Sequence, residues 1–155
     1  MSEINLSFDG MDELGDSLVK AVRAYPNKAE NRLRATANNF RRDVVKKEQQ
    51  TIANDDVVEK NKITTTKGFA LSRTRGYNEN MEIDFKAKAP HFHLVENGHE
   101  KVPRGTKGRS NKGGQSIGWT PGNFVVKKKR EDYAEYVMPF EVEKLIKDIT
   151  KECGL

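Results

Sequence analysis

The sequence predicts an α+β fold, in which a small antiparallel sheet packs against a long helix in the N-terminal half, with a C-terminal helix and a long basic Gly-rich loop completing the chain. Three observations carry this. Apolar residues recur at helical steps from Asn27 to Ile52, alternate with charged residues from Met81 to Ala89, and return to helical steps from Met138 to Cys153.

Ile4, Leu6 and Phe8 alternate with polar neighbours, the period of a short half-buried strand. Asp9 and Gly10 break that pattern. Asp9 is placed to cap a helix whose stripe is Leu14, Leu18, Val22 and Tyr25, with Asp12 and Glu13 near its positive end. Pro26 either ends this helix or marks the start of the next. Ala29, Leu33, Ala37, Phe40 and Val44 then share one helical face, and Leu33, Phe40 and Val44 are expected in the core. Arg32, Arg34, Arg41, Arg42, Lys46 and Lys47 lie on the other faces and read as a solvated surface.

Residues 53–78 are polar and interrupted by Gly68 and Gly76, so a loop with at most short β segments is expected. In the next segment Met81, Ile83, Phe85, Ala87 and Ala89 alternate with Glu82, Asp84, Lys86 and Lys88, the clearest strand signal in the chain, and Pro90 stops it. His91 to Glu96 reads as a short helix or turn. From Gly98 to about Gly118 apolar residues almost vanish, which predicts a loop. Residues 122–137 fit a strand, a helix or both. The last helix carries Met138, Val142, Leu145, Ile149 and Cys153 on one stripe, with Pro139 in its first turn.

A chain of 155 residues is expected to form one domain over 1–155, burying about 70% of its unfolded surface. Hydrophobic residues make up 35% and charged residues 33%, so much of the surface must be solvated or covered by partners. The single cysteine, Cys153, cannot form an internal disulfide, and no secretory leader pattern opens the sequence; a reducing cytosol is the expected place of synthesis. Apolar runs of only a few residues predict no membrane span. The net charge of +5 is unevenly spread. Residues 101–130 hold nine cations and no acid, leaving a net −4 for the remainder.

The densest motif is Ala89-Pro90-His91-Phe92-His93-Leu94-Val95-Glu96-Asn97-Gly98-His99. Physically it reads as a packing corner: Pro90 ends a strand, Phe92 with Val95 or Leu94 turns inward, and Gly98 permits an exit at positive φ. The run resembles the signature of a tail-component family of long-tailed bacteriophages, the tail-completion, neck or head-tail joining proteins. The resemblance extends to the long basic helix at Asn27 to Ile52, Lys67-Gly68, the strand at Met81 to Ala89, the basic loop at Lys101 to Gly118, and Pro121-Gly122. It implies a non-catalytic virion protein at the head-tail junction, made in the host cytoplasm. It further implies a homo-oligomeric ring, a hexamer by family analogy, with a connector and a tail terminator as neighbours. The family-motif residues are then Pro90, His93, Leu94, Val95, Glu96, Gly98 and His99.

Sharper chemistry is less well supported. His91, His93 and His99 lie close to Glu96 and Glu100, but their spacing is not the pattern that sets two imidazoles on one helical face for zinc. His93 with Glu96 could serve as an acid-base pair, yet no nucleophile motif accompanies it. Gly108 and Gly113 have the spacing of the first half of a phosphate loop, but Gly114-Gln115 stand where Lys and Ser or Thr are needed. No catalytic residue, cofactor or metal is expected. Non-specific DNA contact is the main rival reading: the cations of 101–130, with Trp119 and Phe124, suit phosphates and stacked bases, and such binding would weaken steeply with salt. Lys101, Arg104, Lys107, Arg109 and Lys112 are the candidate contacts, to phosphate or to neighbouring subunits. Their loop, rich in Gly and anchored only by Val102 and Ile117, is expected to be mobile in the free subunit and ordered on assembly.

Overall fold

A computed structural model describes residues 11–52, 62–77, 80–102 and 115–154, with side chains from residue 13. The expected strand at Ile4 to Phe8 lies outside the described residues. The architecture is α+β. The element order is α1 (Met11–Thr51), a 3-10 turn (Thr66–Gly68), β1 (Phe69–Leu71), β2 (Phe85–Ala87), α2 (Phe92–Asn97), β3 (Gly98–Glu100), β4 (Trp119–Pro121), α3 (Val125–Asp132), a π segment (Tyr133–Val137) and α4 (Met138–Cys153).

Pro26 does not break α1. It removes one N–H, the donor that would reach the Val22 carbonyl, but the apolar stripes before and after it lie on the same face, so one uninterrupted helix keeps both in line. α4 returns antiparallel along α1. Arg32 ties it down by donating to Glu141 at 2.7 Å and to Asp148, and Lys28 pairs with Glu152 near the end of the helix. Arg32 holds the Glu141 carboxyl below the usual carboxylate range, chiefly through this hydrogen bond. Further along, the Tyr133 hydroxyl donates to Asp43 at 2.6 Å, and burial pushes its phenol up, with Asp43 reinforcing the shift.

α3, the π segment and α4 form one continuous helical run, which resolves the undecided stretch 122–137 as helix from Val125 onward. The π segment ends just before Pro139. A proline ring in a regular helix clashes with the carbonyl four residues back, and the wider turn, seen in the Met138 N–H donating to the Tyr133 carbonyl, leaves room for it.

The sheet is smaller than expected and is in fact two. β1 and β2 pair antiparallel with Phe69 opposite Ala87, and β3 and β4 pair separately with Gly98 opposite Pro121. The strand expected from Met81 to Ala89 is regular only over Phe85–Ala87. The cause is local: the Asp84 N–H goes to the Ser72 hydroxyl at 2.8 Å rather than to a backbone carbonyl, and pairing resumes only at an Arg75–Glu82 bridge. The loop expected over Gly98 to Gly118 is corrected at its start, because Gly98–Glu100 is a strand, and its residues 103–114 lie outside the described residues. The strand's ladder continues through Lys101 N–H to Gly118 O at 2.8 Å and Ile117 N–H to Lys101 O at 2.9 Å.

The core is built from Val44, Val45, Ile63, Phe69, Ala89 and Val125. Phe69 is its hub, stacked on Phe85 with ring centres 4.9 Å apart and edge-on to Phe92 at 5.7 Å. Val44 is fully buried, as expected. Leu33 and Phe40 are only half-buried, because their side of the helix faces an apolar groove that the described residues leave open. Phe40 still meets Phe85 and Tyr133 edge-on, each at 5.1 Å.

Candidate functional site

The His-rich run forms the corner between β2 and the second hairpin. Ala89 is buried and Pro90 exposed at the turn, where the Phe92 N–H donates to the Ala89 carbonyl at 3.1 Å. α2 follows, turning Phe92 and Val95 toward the core. It ends at Gly98, whose N–H donates to the Leu94 carbonyl. The Leu94 carbonyl also lies 3.4 Å from His99 Nδ1.

Glu96 is the organising side chain. It is buried, and its carboxylate accepts the N–H of Val126 at 3.2 Å and of Lys127 at 2.9 Å. These are free donors of the first turn of α3, so a carboxylate from α2 does the work of an N-cap for a helix that starts 29 residues later, and its charge faces the positive end of that helix. The residue at the cap position, Phe124, offers no side-chain hydrogen bond. It is also the one described residue other than glycine at positive φ, 51°. Its conformation is fixed from both sides: the Asn123 N–H donates to the Val95 carbonyl at 2.9 Å and the Phe124 N–H to the Glu96 carbonyl at 3.1 Å.

Two glycines let the backbones approach this closely. Gly98 has φ 83° and ψ 170°, a region essentially reserved for glycine. A Cβ there would stand 2.5 Å from the Thr120 carbonyl oxygen and 2.8 Å from the Gly122 nitrogen. At Gly122 it would stand 2.5 Å from the Asn97 carbonyl carbon and 2.6 Å from the Gly98 nitrogen. The base of the β3–β4 hairpin is therefore a backbone-on-backbone crossing.

Of the residues singled out in the His-rich run, Val95, Glu96 and Gly98 meet in this crossing, with Leu94 and His99 at its edge. His93 is exposed, and His91 and His99 are half-buried. Among the described residues no group of three or more His, Cys, Asp or Glu is placed to hold a metal ion. Lys101 is exposed on the hairpin, while Arg104, Lys107, Arg109 and Lys112 lie outside the described residues. The other end of the cationic segment sits on α3, where Lys128 and Lys129 line an open cleft with Lys46 and Lys47 of α1; Asp43, Glu131 and Asp132 line the same cleft. The partners of Glu96 and the part played by Gly122 were not legible beforehand. The only signal was Pro121-Gly122, one of the features to which the resemblance extends.

The cap has a measurable worth. Glu96→Ala leaves two helix donors without their acceptor and is expected to lower stability by about 1 to 2 kcal/mol, with Glu96→Gln, which keeps one carbonyl oxygen, losing less. Urea unfolding checks this, and an Ala variant as stable as the parent would remove the cap from the account.

The chain matches no protein-family model, no curated protein and no solved structure. No helix among the described residues is long and apolar enough to cross a membrane.

Proposed function

We propose that the chain is a structural, non-catalytic subunit of a tailed-phage particle, a tail-completion or head-tail joining protein that acts by ring assembly at the neck. The observation that carries this reading is the use made of the motif. The most distinctive side chain of the His-Leu-Val-Glu-Asn-Gly-His run, Glu96, is turned inward and taken up by two backbone N–H groups. Its glycine is taken up by a chain crossing. A motif whose chemistry is consumed in holding its own backbone suits a scaffold rather than a reaction centre. Large apolar side chains left exposed, among them Leu18, Val22, Ile117, Trp119 and Phe140, suit a protein that works in contact with others. Copies of the same chain, a connector and a tail terminator are the proposed partners.

Non-specific DNA contact through residues 101–130 has less support, because Lys128 and Lys129 of that segment share their cleft with three acids.

Immunogold labelling of particles from a strain encoding the chain tests the proposal. Label is expected at the head-tail junction, and disruption of the gene should leave heads and tails unjoined. Intact, infectious particles lacking the protein would overturn it.

A further inference from the structure

The apolar positions of α1 repeat through Pro26 in one pattern. Leu14, Leu18 and Val22 recur eleven residues later as Tyr25, Ala29 and Leu33, and again as Thr36, Phe40 and Val44. An eleven-residue period corresponds to about 3.67 residues per turn, so these positions form a nearly straight stripe along the helix. Its covering changes along its length. Val44, Thr36 and Ala29 are buried. Beyond Lys28, where α4 ends against α1 through Glu152, Leu14, Leu18, Val22 and Tyr25 are 45%, 51%, 72% and 49% exposed. Glu13, Asp16, Lys20 and Arg23 occupy the opposite face.

The stretch from Met11 to Val22 is thus an arm of about 18 Å with a bare apolar side, while Tyr25 at its root lines a cleft with α4. A helix of this length is marginal in water without a partner, and Pro26 takes away the bond that would brace its Val22 carbonyl.

The surface that fits this arm is on the same chain. Two adjoining clefts of about 420 and 230 Å³ share Leu33, Thr36 and Met138. Their floor is the middle of the stripe, one wall is α4 with Met138 and Val142, and the other is formed by Leu71 and Ile83. An amphipathic helix laid into an apolar groove is a recurrent mode of recognition. As the straight continuation of the helix that forms the floor, the arm runs away from this groove in its own chain, so arm and groove are matched between molecules.

We infer that the arm of one copy, through Leu14, Leu18 and Val22, lies in the α1–α4 groove of the next. Such a contact is head-to-tail, and it closes into a ring when the rotation per subunit allows; in that closure the inference rests on the proposed neck function, whereas the contact itself rests on the two surfaces.

Sedimentation velocity on the full chain and two variants tests it. Leu18→Glu disables the arm and Val142→Glu the groove, both at half-exposed positions, so folding is retained and is checked by circular dichroism. The parent is expected to oligomerise. Each variant alone should associate at least about thirty-fold more weakly. An equimolar mixture of the two should form a dimer and stop there, since one chain keeps its groove and the other its arm. A monomeric parent, a Leu18→Glu chain that assembles normally, or a mixture that stays monomeric overturns the inference. An oligomer indifferent to Leu18→Glu leaves the neck reading intact, and a Leu18-dependent oligomer missing from particle necks sinks that reading alone.

Discussion

Gly98→Val is expected to abolish or nearly abolish folding of the chain. The native φ of 83° with ψ 170° is strained for any L side chain, and most of all for a β-branched one. The new Cβ would also collide with backbone atoms, the Thr120 oxygen at 2.5 Å and the Gly122 nitrogen at 2.8 Å, neither of which can rotate away as a side chain would. Relief would require separating α2 from β4, and with it the bonds from Asn123 and Phe124 and the two donated to Glu96. Strain and overpacking together amount to on the order of 4 kcal/mol or more, a large part of the 5 to 15 kcal/mol typical of a domain. Soluble yield and urea midpoint are the measurements. Gly15→Ala is the control, since a Cβ at that helical position meets nothing within 4 Å. A Gly98→Val chain with the parent's midpoint would show that the crossing is not where the fold is held.

Phe69→Ala is expected to cost about 3 to 5 kcal/mol, the range for truncating a buried aromatic. Phe69 is 1% exposed and touches the rings of Phe85 and Phe92. It sits where β1, β2 and α2 meet over Val44 and Val45, so no single neighbour can shift to fill the space it leaves. Phe69→Leu, which keeps much of the volume, should recover part of the loss. Chemical unfolding of the two variants beside the parent decides it, and an Ala variant within about 1 kcal/mol of the parent would place the hub elsewhere.

What could be read in advance follows the range of the forces concerned. The stripe from Ala29 to Val44 was legible because helical periodicity is a local property, and so was the inward turn of Phe92 before a glycine at positive φ, though not the choice of Val95 over Leu94 beside it. The burial of Thr36, Val45 and Glu48 was not. α1 is covered on more than one side, by α4 along its stripe and by the segment after residue 62, where Gln49 donates to the Thr64 carbonyl at 2.7 Å. Periodicity reveals one face of a helix and is silent on a second. The helix at Val125–Asp132 was hidden for a related reason: Val-Val-Lys-Lys-Lys-Arg-Glu-Asp has little apolar period, and the group that caps it is Glu96, far back in the sequence. Phe69 was passed over because it stands in a polar stretch, and its packing depends on partners from β2 and α2. The strand at Met81 to Ala89 was read too long since alternation reports which side chains face inward, whereas the extent of a ladder is set by its partner, and here Ser72 interrupts it.

The ion pairs that hold α4 to α1 join residues 109 and 116 positions apart, which sets an order of events during synthesis. α1 leaves the ribosome well before α4, and a helix forms in about a microsecond. α4, which covers it, comes about a hundred residues after it, and at about 5 to 20 residues per second it follows some 5 to 20 seconds later. Throughout that interval the nascent chain holds out an amphipathic helix with its apolar side bare along its full length. Chains growing side by side on one messenger present the same surface to each other at the same time. Their first contacts are then between unfinished molecules, and the timing of α4 decides whether each helix is claimed by its own chain or by its neighbour.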